Sequence, residues 1–405
     1  MHYDLIIIGT GLSGLMAAKS AAEAGAKVLI IGKGIGSLCL FSNTIDILGI
    51  FPEEMKMVDG LFQWIKDHPT HPYSRLGWEK IGEALTSFRS LFQSRYTFKS
   101  IDGENRLILT GAGTFRPAYL IPSTIITGIS LRNGNGLVVG FKGFKDFYAN
   151  YVADQLKCRG LNLSVPEFQD QELTATAIAR LMEKESVRGA LARQVKEQID
   201  GESWVGFPAV LGFQDPMKVK KGLEEIIGCE VFEIPTLPPS IPGMRIFRRF
   251  REWLIQNGVS FLIGHSVSNA TVNRKRCEAI EVSHPPLAQS YSADRFILAP
   301  GRFIGGGLKA DEERVSESIF NLPVSQPGSR QDWFGNSFFN NHRIHQAGIL
   351  TDLSLRPTDE RGEHALENVW IAGTILAGHN SIQERSREGI EIVTGYWAAR
   401  YALGT

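Results

Sequence analysis

Leu5-Ile6-Ile7-Ile8-Gly9-Thr10-Gly11-Leu12-Ser13-Gly14, an alanine-rich run from Leu15 to Gly25, and Lys27-Val28-Leu29-Ile30-Ile31 together decide how this chain folds. The first apolar run does not alternate, as expected of a strand buried on both faces of a parallel sheet. Leu15 to Gly25 keeps helical spacing, and Gly25 stands where a helix C-terminus favours glycine. Lys27 to Ile31 reads as a second buried strand. Strand, glycine turn, helix and strand within about 30 residues make one right-handed βαβ unit. In that setting Gly9-x-Gly11-x-x-Gly14 is a dinucleotide fingerprint. The first glycine makes the tight turn, the second admits a pyrophosphate to the backbone, and the third lets helix and strand pack closely. The helix N-terminus then offers amides and a partial positive charge to the phosphates. Gly9, Gly11, Leu12, Ser13 and Gly14 are therefore candidate cofactor-binding residues.

One expected part is missing. The second strand of such a unit normally ends in Asp or Glu, which hydrogen-bonds the adenosine ribose. Here it ends Ile31-Gly32-Lys33-Gly34, without an acid. Either another residue holds the ribose, or the ligand is not an ordinary FAD or NAD. FMN, which has no adenosine, becomes a candidate, and Lys33 is placed to take a phosphate as basic residues do for NADP. Gly32-Lys-Gly-Ile-Gly-Ser37 does not match a triphosphate P-loop.

Composition narrows the class further. At roughly 150 residues per domain, 405 residues suggest two or three structural units. Hydrophobic residues are 43% and charged residues 21%, an ordinary globular balance. Lys plus Arg, 43, cancels Asp plus Glu, 43, which argues against a protein that holds nucleic acid or an anionic membrane by charge. No run of 18 or more apolar residues occurs, and Tyr3–Ile8 is too short for a signal-peptide core. Cys39, Cys158, Cys229 and Cys277 are scattered without a C-x-x-C pair, which is wrong for an iron–sulfur cluster, a zinc site or a disulfide framework. Reduced thiols in a cytoplasmic protein are the expectation.

Residues 52–100 read as polar and helical, clearest from Glu79 to Phe92, and Leu107 to Gly143 as short β-like pieces. Phe147–Leu156 reads as a helix, and Gln171–Asp200 is helix-rich, with Leu173, Ala177, Leu181, Leu191, Val195 and Ile199 facing inward. Ile234 to Gly243 holds Pro235, Pro238, Pro239 and Pro242, so it reads as a rigid connector and a domain boundary. Met244–Asn257 then reads as an amphipathic helix, Val259–Ile263 as a strand and Ala270–Val282 as a hairpin. Two further buried strands end in glycine, Ile297-Leu-Ala-Pro-Gly301 and Val369-Trp-Ile-Ala-Gly373, and Ser386–Leu403 is a helix. A fingerprint, a later strand–glycine end and a C-terminal strand–glycine–helix mark flavoproteins rather than simple dehydrogenases. The last sets a helix N-terminus beside the flavin ring. Pro300 stands where Thr is usual, removing a backbone donor and a hydroxyl.

Leu38-Cys-Leu-Phe-Ser-Asn-Thr-Ile-Asp-Ile-Leu48, Leu237-Pro-Pro-Ser-Ile-Pro-Gly-Met-Arg245, Arg295-Phe-Ile-Leu-Ala-Pro-Gly-Arg-Phe-Ile-Gly-Gly-Gly-Leu308, Ile349-Leu-Thr-Asp-Leu-Ser-Leu-Arg-Pro357 and Asn368-Val-Trp-Ile-Ala-Gly-Thr-Ile-Leu-Ala-Gly378 resemble the B-subunit family of anaerobic glycerol-3-phosphate dehydrogenase. The order and spacing hold along nearly the whole chain. The resemblance implies a flavoprotein, usually assigned FMN, beside an FAD-containing catalytic subunit and an iron–sulfur subunit that delivers electrons to quinone. Its substrate would be a small phosphorylated polyol, with no nucleic-acid partner. The protein would be cytoplasmic, and peripheral at the inner membrane only through its partners.

The expected fold is α/β. A Rossmann-type flavin-binding domain is assembled from 1–50, 240–310 and 345–405, with an inserted α+β cap of 51–239 joined by 310–344. Ser42, Asn43 and Asp46 follow the second strand, where related flavoproteins cross the cofactor, although a capped helix start reads equally well. Gly301, Gly373 and Ser381 join the cofactor candidates, and His379 and Arg385 are the catalytic ones. His342 and His345 read as surface or core histidines, and Arg245, Arg248, Arg249 and Arg251 as a solvated helix face. A stand-alone FAD oxidoreductase on another small substrate and a flavin-free structural subunit remain the rival readings.

Overall fold

Strand β1 (His2–Ile8), helix α1 (Leu12–Glu23) and strand β2 (Val28–Gly32) form the first βαβ unit. The computed structural model describes residues 2–93, 96–129, 135–165, 172–283 and 288–405. β1 lies parallel between β2 and the strand Gln289–Leu298, so Leu5, Ile6 and Ile7 are wholly buried, which accounts for their unalternating run. Across the sheet the order is Ser260–Ile263, β2, β1, Gln289–Leu298, Arg276–Val282 and Val267–Asn273. Val369–Ile371 pairs in parallel with the Phe296–Leu298 end of the long strand. The carboxyl ends of β1, Gln289–Leu298 and Val369–Ile371 therefore converge. Open α/β sheets bind ligands outside such ends.

Helices cover this sheet closely. A Cβ at Gly395 of the C-terminal helix Arg387–Leu403 would clash with the Ser13 backbone of α1. The helix Pro72–Ser90 packs on the C-terminal helix, where Tyr396 Oη donates to Glu83 Oε1 at 2.7 Å and Trp397 Nε1 to the Lys80 carbonyl at 2.9 Å. Tyr73, Ile81, Leu85 and Phe88 join the same apolar core as β1, and so do Val315, Leu322, Trp333 and Ile344.

A second apolar core surrounds a four-stranded parallel sheet in the order Glu230–Ile234, Trp204–Pro208, Gly136–Phe141, Arg159–Leu163. Helices Ala149–Leu156, Ala175–Met182, Glu185–Lys196 and Pro216–Ile227 pack around it. Short antiparallel ladders join Arg106–Leu109 to Phe115–Ala118 and Phe98–Lys99 to Ile121–Pro122. The packing of residues 57–98 with the first core differs from their expected place in the insertion, because the Pro72–Ser90 helix turns its apolar face to the C-terminal helix. Ile178 and Ala179 are buried where Ala177 was expected to face inward, and Gln171 lies outside the described residues.

The proline-rich connector gives way earlier than expected to the helix Ile241–Gln256, capped by Ser240 Oγ accepting from the Gly243 amide at 3.1 Å. Pro242 fits its first turn, where an amide would have no partner. Arg245 is not on a solvated face. Only 3% exposed, it donates from both Nη atoms to Glu233 at 2.7 Å and from Nε to the Gly212 carbonyl at 2.7 Å. Arg248, Arg249 and Arg251 are not buried, in keeping with the expectation.

Candidate functional site

The converging strand ends open into a cavity of about 1010 Å³, at the upper end of the roughly 300–1,000 Å³ of small-molecule sites. Gly9 has φ +122°, and a Cβ there would clash with the Ala299 carbonyl, while one at Gly14 would clash with the Gly9 carbonyl. A Cβ at Gly11 would meet nothing within 4 Å. The first and third glycines thus serve turn and packing, and the second borders open space. Gly11 is also the cap residue of α1 and offers no side chain to its first amides. A phosphate fits against those free amides.

Gly9, Gly11, Leu12, Ser13, Lys33, Gly301, Ser381 and Arg385 all line this cavity. These candidates, expected from distant segments of the sequence, thus meet at one cavity. Gly14, Ser42, Asn43 and Gly373 stand behind the wall instead. Asn43 is 1% exposed, and its Nδ2 donates to the Leu38 and Phe41 carbonyls and to Ser240 Oγ, so it ties its loop to the Ile241–Gln256 helix. Ser42 Oγ accepts from Arg116 Nη1 at 3.1 Å. The Gly373 amide donates to Thr394 Oγ1 at 2.8 Å, and its neighbour Thr374 takes the place on the wall.

His379 is also displaced from its expected role. Asn380 Oδ1 accepts from the amides of Ile382 and Gln383 and caps the short helix Ser381–Glu384, and His379 before it is fully buried. Burial, Arg302 and His71 hold its imidazole well below the ordinary value, so it is neutral at pH 7. It belongs to a buried group in which His71 Nε2 and Glu384 Oε2 are 3.2 Å apart and Arg302 Nη2 donates to the His379 carbonyl at 3.1 Å.

Of the other wall residues, Asp46 was expected beside the cofactor and His345 at the surface or in the core, whereas Arg116, Arg387, Glu388 and Glu391 carried no expectation. Arg302 and His345 line one side, and Arg302 also donates to the carbonyls of His345 and Leu376. Burial pushes the Arg302 guanidinium down to about 10, against the pull of Glu384, and leaves it cationic at neutral pH. Burial, His342 and Arg302 lower the affinity of His345 for a proton. Its Nδ1 is buried without a partner among the described residues. Arg116, Arg387, Asp46 and Glu388 line another part, with Arg116 paired to Asp46 and Arg387 to Glu388. Glu391, also on the wall, is pushed up to about 7, chiefly by burial, with Arg387 opposing and Glu388 adding to the rise. The glycine ending the Gln289–Leu298 strand was a signal for Arg302. Arg116 sits on a short ladder that carries no motif.

The sequence matches the model of the FAD binding domain family over residues 4–386. It is 32% identical to the probable anaerobic glycerol-3-phosphate dehydrogenase B subunit of Halobacterium salinarum, over 98% of this chain and 97% of that one. It is 29% identical to the anaerobic glycerol-3-phosphate dehydrogenase B subunit of Vibrio cholerae serotype O1, covering 100% of this chain and 97% of the other. The same identity, 29%, relates it to the corresponding B subunit of Pectobacterium atrosepticum, over 100% and 99% of the two chains. One family model spanning 4–386, together with full-length relatives of one kind, means that this chain belongs to the FAD binding domain family and, within it, to the B-subunit family of anaerobic glycerol-3-phosphate dehydrogenase.

Proposed function

We propose that this chain is the flavin-dependent dehydrogenase B subunit of a heteromeric complex. In it, glycerol 3-phosphate is oxidised to dihydroxyacetone phosphate, or its electrons are relayed onward. The observation that carries this reading is one continuous cavity joining the glycine fingerprint to an arginine-bearing wall. The partners we assign are an FAD-containing catalytic subunit and an iron–sulfur subunit that passes electrons to quinone. Among the described residues no helix is long and apolar enough to cross a membrane. We assign the chain to the cytoplasmic side, peripheral at the inner membrane through those partners. The flavin-binding domain is taken as the first core and the inserted domain as the second.

A flavin held here supplies the two-electron acceptor for oxidation of a secondary alcohol to a ketone. The first amides of α1, together with Ser13, hold a phosphate. Arg302, fixed by three backbone carbonyls, keeps a positive charge on the wall. His345, neutral at pH 7, is the group we assign to accept the hydroxyl proton. FMN is the first reading of the cofactor. Lys33 and Lys309, exposed on the cavity wall and without a charged partner among the described residues, suit a terminal phosphomonoester better than a neutral ribose. FAD is the second reading, favoured by the extension of the cavity past the fingerprint to Ser266 and Ser268, where an adenosine has room.

Acid release of the cofactor from purified protein, with chromatography and mass, decides between them. Anaerobic glycerol 3-phosphate should then bleach the flavin absorbance. Bleaching of the isolated chain assigns the substrate chemistry to it, and bleaching only with partners assigns it the relay. A chain that takes up neither flavin on reconstitution leaves a structural subunit.

A further inference from the structure

The part of the cavity beyond the fingerprint carries an unusual charge arrangement. Arg116, Arg385 and Arg387 all line it, with Asp46, Glu388 and Glu391 as the neighbouring carboxyls. Asp46 is taken up by Arg116 and Glu388 by Arg387. The Arg385 guanidinium has no hydrogen-bond or ion-pair partner among the described residues, although its carbonyl accepts from the Gly49 amide. It sits at φ +50° after the helix Ser381–Glu384, its stem against Gly49. With Glu391 protonated, as burial favours below about 7, that leaves this wall with one unbalanced positive charge. Burial depresses the Arg116 guanidinium first of all. Glu388 opposes this, and Arg387 and Arg385 add to it, so each of those two guanidiniums is close enough to act on Arg116.

Two groups there also have hydrogen-bonding capacity left over. Among the described residues Arg387 Nη1 is buried without an acceptor, although Nη2 reaches Glu388 and the guanidinium lies over the Phe41 ring. Asp46 Oδ1 is likewise buried without a donor among the described residues, although Oδ2 reaches Arg116. Buried polar groups are nearly always satisfied, and those left open at a cavity wall mark places that a ligand or water completes. Beside them the C-terminal helix begins at Arg387 with no side-chain cap.

We propose that Arg385 and Arg387 hold the phosphate of a phosphorylated polyol, with Arg116 fixing Asp46 to accept one of its hydroxyls. This rests on the functional reading above and places the substrate site on this chain rather than only on a partner. A phosphate dianion offsets the excess charge and the repulsion on Arg116, and guanidinium matches phosphate geometry with paired donors. The open carboxylate oxygen is the complement of a hydroxyl. An uncharged polyol lacks the first feature, and inorganic phosphate the second.

Calorimetric titration of the flavin-reconstituted chain with sn-glycerol 3-phosphate, inorganic phosphate and glycerol tests this without depending on turnover. The expected order is glycerol 3-phosphate tightest, phosphate weaker and glycerol undetectable. Arg385→Gln should weaken glycerol 3-phosphate about tenfold or more and Arg385→Lys less, as expected for a lost charge-assisted pair, with flavin content and circular dichroism unchanged. Asp46→Asn should remove the advantage of glycerol 3-phosphate over phosphate. Two results would overturn the proposal: wild-type binding of none of the probes at millimolar concentration, or equal binding by wild type and Arg385→Gln. Loss of flavin from Arg385→Gln would also overturn it, because the guanidinium would then hold the cofactor. Phosphate-ester binding without flavin bleaching leaves this site standing and removes only the assignment of substrate chemistry.

Discussion

Glu391 shows what a single buried carboxyl does on the cavity wall. It is 7% exposed, and burial pushes it up to about 7 from 4.5. A carboxyl raised by folding keeps its proton in the native state at pH values where the unfolded chain has released it. Its contribution to stability is therefore full below about 4.5 and is lost as pH rises through about 7. Glu391→Gln, which cannot ionise, should match the wild type near pH 4.5 and exceed it at pH 8 by roughly 1–3 kcal/mol. Urea unfolding of both proteins across that range measures the difference, and a gap that does not grow with pH would refute the assignment. At pH 7 and below, the protonated carboxyl is also a donor, suited to a phosphate or carbonyl oxygen in the cavity. Arg387 beside it works the other way and favours its ionised form.

At the scale of elements, the β1–α1 turn separates packing from binding within six residues. In Gly14→Ala the new Cβ would clash with the Gly9 carbonyl, so α1 has to move away from β1. Overpacking of this kind costs about 1–3 kcal/mol. Gly11→Ala meets no protein atom within 4 Å and should leave the melting temperature nearly unchanged while flavin content falls. Melting curves and bound-flavin absorbance on both variants check the pair. Equal effects on the two readouts would mean that the second glycine does not border the phosphate. The turn and the glycine ends at Gly301 and Gly373 could be read from the sequence because the strand–glycine pattern is local, although the contacts that demand glycine at Gly9 and Gly373, the Ala299 carbonyl and Ser13 Oγ, lie far along the chain. Arg116, Arg387 and His345 could not, because cross-chain packing brings them to the wall. Arg245 was misread for the same reason, since a helical wheel does not show a strand carrying Glu233. His379 was misplaced because the cap at Asn380, a local event, fixes the start of a four-residue helix and leaves the preceding histidine inside. The second parallel sheet stayed hidden because Trp204–Pro208 and Glu230–Ile234 are only 5 residues each. Periodicity does not separate such short runs from buried helix or loop.

At the scale of the whole molecule, two large apolar cores share one chain with a small third around Ile108, Ala118, Ile121 and Ile125, and the cavity belongs to the first. Its wall is built by β1, β2, the ends of Gln289–Leu298 and Val369–Ile371, and the loops before the C-terminal helix. The second core contributes none of those strand ends. The buried Arg245–Glu233 pair ties the two, since Arg245 lies on a helix packed on the first sheet and Glu233 on an edge strand of the second. Ligand binding stabilises the native state only through the parts whose opening destroys the site, by about 2.7 kcal/mol at a hundredfold excess over Kd. Flavin should therefore slow amide exchange in β1, Gln289–Leu298 and the Pro72–Ser90 helix, which packs with that core. Peptides from Gly136–Phe141 and Trp204–Pro208 should change far less, because local openings of the second core leave the site intact. Hydrogen-exchange mass spectrometry on the chain with and without flavin reads both sets at once. If the Pro72–Ser90 helix followed the second sheet, the division of the cores would be wrong and residues 57–98 would belong with the insertion. If both sets slowed equally, the Arg245–Glu233 connection would make the molecule one cooperative unit, and the cofactor would stabilise all of it.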